Sequence, residues 1–311
     1  MIEIETLTKQ YGAMTVVDRV SLSIARGSIT VIVGSSGSGK STLLRMINRL
    51  VEPTSGRVVI DGIDTATEAA HLLRRRIGYV IQGYGLFPHR TVAENIATVP
   101  RLLEWDVERI KNRVDELLRI FQLDPQEFAG KFPHQMSGGQ QQRVGVARAL
   151  AGEPSVLLMD EPFGALDPII RTRAQSDLKD IQRRFGTTIV LVTHDIDEAF
   201  RLADQVAVMS AGEILQCGSP QALLTRPADP FVSRLTGTAD RAMKLLALTT
   251  AGEAAEPGAA HGPTVAASAT LRDVLSDLVW DGAPEATVLN PDGTTRGRLT
   301  LTGILARGKP S

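Results

Sequence analysis

Residues 34–41 read Gly-Ser-Ser-Gly-Ser-Gly-Lys-Ser, and what flanks them narrows the possible folds sharply. Ile29-Thr30-Val31-Ile32-Val33 precedes them, a short apolar run that reads as a buried strand. Thr42-Leu43-Leu44-Arg45-Met46-Ile47 follows and reads as the start of a helix. Strand, glycine-rich loop, Gly-Lys-Ser and helix together are the context a phosphate-binding P-loop requires. The glycines let the backbone curl so that its N–H groups converge on an anion, and the helix N-terminus adds its dipole. Gly34, Ser35, Ser36, Gly37, Ser38, Gly39, Lys40, Ser41 and Thr42 are therefore candidate nucleotide-binding residues. Lys40 has the reach for β- and γ-phosphates, and the Ser41 hydroxyl can ligate Mg²⁺.

The chain around this loop has 311 residues, enough for one large domain and a small one. Its net charge of −1 offers no bulk attraction to nucleic acid or to an anionic membrane. One cysteine excludes an intramolecular disulfide. Met1-Ile2-Glu3-Ile4-Glu5 carries acids where a signal peptide needs bases, and no apolar run approaches a membrane span. Membrane spans, if the protein works at a membrane, are expected from other chains.

Helix and strand patterns alternate to about residue 238. Residues 156–159 and 188–193 are nearly all apolar, as suits strands of a parallel sheet covered on both faces. The expected fold class is α/β. Val107, Ile110, Val114, Leu117, Leu118 and Phe121 fall at helical spacing, so a helical subdomain is expected as an insertion at about 88–150. Residues 239–269 are expected to form a helix and a flexible linker, because 249–269 hold mainly Ala, Gly, Glu, Pro and Thr. Residues 270–311 regain pattern and are expected to form a small α+β module.

Val156-Leu157-Leu158-Met159 ends in Asp160-Glu161, which delivers two acids to the carboxyl edge of the sheet. Asp160 is the candidate for holding Mg²⁺ and Glu161 for orienting or deprotonating a water. His194 closes the strand 188–193 on the same edge and is a second candidate catalytic group. Asp195 and Glu198 read as a capping-box-like helix start. Ser137-Gly138-Gly139-Gln140 opens another helix and makes a second anion-ready helix end. Two copies facing head to tail would pair each P-loop with the Ser137 segment of the other, closing as a twofold homodimer.

The ordered set Tyr11, Gly34–Thr42, Gln82, Ser137–Gln140, Asp160-Glu161, Ala165-Leu166-Asp167 and His194 resembles the nucleotide-binding subunit of an ABC transporter over residues 1–238. Met136 stands where that family usually has Leu before the Ser. The resemblance implies an ABC-type core that binds ATP and Mg²⁺. It implies that Tyr11 stacks on adenine and that Gln82 senses the metal and the membrane partner. It also implies that Asp167 shapes the dimer contact beside the site. Membrane-spanning permease subunits and, indirectly, a solute-binding protein are the implied partners, at the cytoplasmic face of the membrane. Residues 77–89 and 91–100, with Leu103-Glu104-Trp105 and Val144–Ala147, are similar to importers of glycine betaine, carnitine and choline.

The tail is similar to half of a CBS pair: Thr270–Leu275 resembles its first helix, Asn290–Gly293 its hairpin turn, and Gly297–Thr300 its nucleotide motif. Gly303 stands where that motif expects Asp, so the module reads as degenerate and single. Rival readings are the ATPase of an importer for another small solute, a DNA-repair or chromosome ATPase of the same head, and a P-loop kinase for a small metabolite. The second would need a long coiled coil before Ser137, and none is seen. The third would need neither Ser137–Gln140 nor a dimer.

Overall fold

The computed structural model describes residues 1–164, 166–258 and 260–309. The chain divides into two compact units, Met1–Cys217 and Gly218–Ser311. The first begins with β1 (Ile2–Tyr11), β2 (Met14–Ile24) and β3 (Ile29–Val33). In β1 Ile2 and Ile4 are buried, while Glu3 and Glu5, which alternate with them, are less so, the period-two pattern of a half-buried strand. The phosphate loop leads into α1 (Lys40–Ile47), then β4 (Ser55–Ile60), β5 (Ile63–Asp64), α2 (Ala70–Arg76) and β6 (Ile77–Val80).

A run of helices follows: α3 (Val92–Ile96), α4 (Thr98–Leu102), α5 (Val107–Ile120), α6 (Pro125–Phe128) and α7 (Gly138–Leu150). They occupy the stretch in which an inserted helical subdomain is expected. In α5, Val114, Leu117 and Leu118 are buried as the spacing implies, but Val107, at the first helical position, is exposed. The chain then returns with β7 (Val156–Asp160), α8 (Pro168–Phe185), β8 (Thr188–Thr193), α9 (Ile196–Leu202), β9 (Gln205–Ser210) and β10 (Glu213–Gly218).

Two sheets organise this unit. An antiparallel sheet has the order β2-β1-β4-β5, and a six-stranded sheet the order β10-β9-β3-β8-β7-β6. In the latter, neighbours from β6 through β7, β8 and β3 to β9 are parallel. Every residue of β3, β7 and β8 is buried, which explains their continuous apolar runs. Helix α1 lies in the core shared by the two sheets, with Leu43, Leu44, Met46 and Ile47 buried among Ile2, Leu7, Ile32 and Val190. The register sets Val33 beside Thr193 and Asp160 beside Val192. The ends of three strands therefore present the phosphate loop, the acid pair and His194 at one sheet edge.

The second unit holds α10 (Pro220–Thr225), α11 (Pro230–Thr236), α12 (Arg241–Ala247), α13 (Ala251–Ala254), β11 (Thr264–Ala266), α14 (Leu271–Asp281), β12 (Glu285–Leu289), β13 (Thr295–Thr300) and α15 (Leu301–Arg307). Strand β12 pairs in parallel with β11 and antiparallel with β13. Two sequence expectations need correction. Residues 218–238, read with the first domain, cluster with the second unit. The stretch 249–269, read as a linker, is packed structure. Ala251, Ala254 and Val265 are buried in one core with Leu246, Leu271, Leu278, Val288 and Ile304. The backbone is held too: Ala251 N donates to Ala269 O at 2.7 Å, and Gly252 N to Ala267 O at 2.8 Å. Alanines bury little area each, but they let backbones approach closely enough for these bonds. The hairpin turn expected at Asn290–Gly293 is present, closed by Gly293 N donating to Asn290 O at 3.0 Å. Among the described residues no helix is long and apolar enough to cross a membrane.

Candidate active site

Gly39 begins α1 in a left-handed conformation and provides no side-chain cap. The first-turn N–H groups of α1 therefore face the loop without a side-chain acceptor, the arrangement an anion requires. A Cβ on Gly34 would collide with the Met209 carbonyl, and one on Gly39 with the Val16 carbonyl. The loop is thus pressed against β9 and β2 where only glycine fits. Lys40 is buried, and its Nζ donates to Gly34 O at 2.9 Å, Ser35 O at 2.8 Å and Ser38 Oγ at 3.4 Å. Burial lowers its pKa, while the nearby charges of Glu161 and Asp160 act in the other direction.

Asp160 ends β7 fully buried, and Ser41 Oγ donates to its Oδ1 at 2.7 Å. Arg45 Nη2 donates to the other oxygen at 3.4 Å. Ser41 and Asp160 thus present adjacent hard oxygens, a donor set that suits Mg²⁺ bound mainly through phosphates and water. Among the described residues no cluster of three or more His, Cys, Asp or Glu forms a cage for a metal. Arg45 is a site residue the sequence reading missed. Its spacing of four from Ser41 on one helix was the available signal.

Glu161 has φ +47°, in the left-handed region, and its N–H donates to Val192 O at 2.9 Å. Its carboxylate receives Gln82 Nε2 at 3.4 Å on Oε2, and His194 Nδ1 lies 3.3 Å from Oε1. The structure therefore brings Glu161, Gln82 and His194 together. Gln82 faces Glu161, and no hydrogen bond joins it to Ser41 or Asp160 among the described residues. Tyr11 ends β1 half-exposed, with Lys9 Nζ 4.9 Å above its ring.

Ser137 caps α7 in a full capping box with Gln140: Gln140 N donates to Ser137 Oγ at 3.3 Å and Ser137 N to Gln140 Oε1 at 2.9 Å. A Cβ on Gly138 would run into the Tyr84 hydroxyl, and one on Gly139 would lie 2.9 Å from Ile170 Cγ2. Tyr84, two residues after Gln82, is a second residue missed in the sequence. Asp167 caps α8, its Oδ1 accepting from Ile169 N and Ile170 N, each at 3.1 Å. Ala165 lies outside the described residues. Asp195 caps α9 through Asp197 N at 2.9 Å and Glu198 N at 3.1 Å. The reciprocal half of the expected box is missing. Glu198 is buried instead, and burial, with Asp195 next in effect, pushes its carboxyl up to about 7.

Residues 17–164 match the family model described as "ABC transporter". The chain is 48% identical over 306 residues to the glycine betaine uptake system ATP-binding protein YehX of Escherichia coli, covering 98% of this chain and 99% of that protein. Among solved structures, cbiO1 of Clostridium perfringens, described as part of the ABC transporter complex cbiONQ, is 31% identical. It aligns with a TM-score of 0.67 over 73% of this chain and 91% of its own. A dimeric ATP-binding cassette in a post-hydrolysis state, bound to ADP and Pi, is 35% identical with a TM-score of 0.63, over 71% and 99% respectively. The chain belongs to the ABC transporter family, as an ATP-binding subunit of the glycine betaine and osmoprotectant uptake type.

Proposed function

We propose that this chain hydrolyses ATP to power uptake of an osmoprotectant of the quaternary-amine class, glycine betaine foremost, through separate membrane subunits. The observation that carries the reading is the 48% identity to a glycine betaine uptake ATPase over both units of the chain, tail included. In this reading Gly34–Thr42 and Lys40 hold the phosphates and Tyr11 meets the adenine. Ser41 and Asp160, with Gln82 at the edge, would hold Mg²⁺, which offsets charge on the β- and γ-phosphates when bound. Glu161 orients the attacking water and accepts its proton. His194, against Glu161, fixes the carboxylate and reaches toward the γ-phosphate.

The active form is a homodimer in which Ser137–Gln140 of a second copy complete each site and Asp167 shapes the seam. The dimeric cassette among the solved structures supports this. The description of cbiO1 as part of a larger transporter complex supports membrane partners for this chain. In this reading the chain works at the cytoplasmic face of the membrane, with a solute-binding protein acting indirectly. The second unit, with strand, helix, antiparallel pair and helix in sequence, is read as a single CBS-like module that modulates uptake.

The deciding variant is Glu161→Gln. It should bind ATP and dimerise yet lose a base contribution on the order of 10²–10⁴ in turnover. Near-normal hydrolysis would reject Glu161 as the base. The substrate is tested separately, by uptake of labelled glycine betaine in vesicles carrying the chain with its membrane subunits. Uptake that ignores the osmoprotectant but follows another solute would reject the solute class alone.

A further inference from the structure

Arg171, Asp195 and Glu198 form a charged group between α8 and α9 that the hydrolytic reading leaves without a role. Arg171 Nη2 donates to the Leu166 carbonyl at 3.0 Å. Its Nη1 lies 3.9 Å from Asp195 Oδ2. Leu166 immediately precedes Asp167, and Asp195 immediately follows His194. Asp195 uses its other oxygen to cap α9. Its two oxygens therefore serve different elements, one the helix start and one Arg171. Glu198, one turn further on, is 6% exposed, and its Oε1 is buried without a hydrogen-bond partner. Arg171 Nε is likewise buried without one. Charged groups left incompletely paired under a surface cost stability, so their placement calls for a role beyond packing.

We infer that Arg171 is a positioning residue of the ATPase site: through Leu166 and Asp195 it holds the loop before Asp167 and the turn after His194 in one arrangement. The inference rests on the reading of Glu161 and His194 as the hydrolytic pair. A planar guanidinium suits this role, because one fork can serve a carbonyl and a carboxylate at once. Among the described residues, the side chain of His194 is approached by Glu161 at 3.3 Å, and it is largely exposed. Its aim therefore depends on the backbone turn that Asp195 anchors. The groups facing Glu198 are Asp195 and Glu161 on the loops, Arg171 on α8 and Thr193 on β8. Of these Arg171 is the cation, so it also balances the acids beneath the site.

The test is steady-state ATPase kinetics of the full chain with four variants. Arg171→Met should lower kcat about tenfold, a coupling of the size such networks carry, with KM for ATP within about twofold of wild type. Arg171→Lys, which keeps the charge without the fork, should recover part of that loss. Asp195→Asn retains a good helix cap while removing the charge, so it should fold normally and lose a smaller share of kcat. The double variant Arg171→Met/Asp195→Asn should be no slower than Arg171→Met alone, because both act through one contact. A wild-type kcat in Arg171→Met, or losses that multiply in the double variant, would overturn the inference. If Arg171→Met fails to fold, the Arg171→Lys and Asp195→Asn cycle decides in the same way. A wild-type chain that hydrolyses no ATP would instead sink the ATPase reading itself.

Discussion

Glu161 is held in a backbone conformation that non-glycine residues rarely adopt, a strain of about 1–3 kcal/mol. Its position after a fully buried strand over-determines it, since its N–H is already bonded to Val192 of β8. In that conformation its carboxylate meets Gln82 and His194. Glu198 makes a second residue-scale statement, through pH. Its folded pKa of about 7 lies above the ordinary value of 4.5. The folded state therefore binds the proton more tightly, and stability falls as pH rises from about 4.5 to about 7. Glu198→Gln, which mimics the protonated acid, should match wild type in thermal unfolding near pH 4.5. It should become the more stable form by pH 8, by on the order of 3 kcal/mol at most. A gap that stays constant with pH would show that Glu198 is not the group responsible.

Helix starts divide into two kinds in this molecule. Helix α1 begins at Gly39 with no side-chain acceptor, whereas α7 and α8 begin with Ser137 and Asp167 bonded to their own first-turn N–H groups. Helix α1 thereby leaves its first-turn N–H groups for a phosphate, whereas Gln140 N in α7 and Ile169 N and Ile170 N in α8 are committed to holding their helices. Asp167 is thus a cap within its own chain as well as a candidate for the dimer seam. Asp167→Ala should destabilise the chain by about 1 kcal/mol in chemical unfolding, while Asp167→Asn, an equally good cap, should not. If Asn also leaves hydrolysis untouched, the cap is its whole role; a lowered rate at full stability would assign it to the seam.

For the whole molecule, two units and a composite site make separable claims. A chain ending at Gly218 should keep ATP binding, since every candidate site residue precedes residue 200. A chain ending at Leu248 should aggregate, because it exposes Leu245 and Leu246, which are 9% and 1% exposed when the second unit is intact. Light scattering and nucleotide binding on both truncations check this, and a well-behaved Leu248 chain would revise the unit boundary. Mixing Lys40→Ala with Ser137→Arg tests the composite site. In a mixed dimer both lesions fall on one site and the other stays intact, so hydrolysis should partly return. Proven heterodimers without any recovery would reject independent sites.

Nearly all-apolar runs made β3, β7 and β8 legible from residues alone, because strands buried on both faces have no solvated side to display. The glycine-rich loop, the acid pair at the end of β7 and His194 after β8 followed from strand ends, since a parallel sheet delivers them to one edge. The packing of 249–269 was not legible, because alanine-rich sequence serves a linker and a close-packed module equally well. Nor were the contacts of Arg45, Tyr84 and Arg171, polar residues whose pattern matches an ordinary solvated face, and Glu198 read as a helix-start acid and not as a buried one. Only the tertiary structure decided which partners those side chains meet, because that depends on contacts between elements far apart in the chain. Arg171 of α8 meets Asp195 of the next loop only when α8 and β8 are packed, and Arg45 meets Asp160 across 115 residues of sequence.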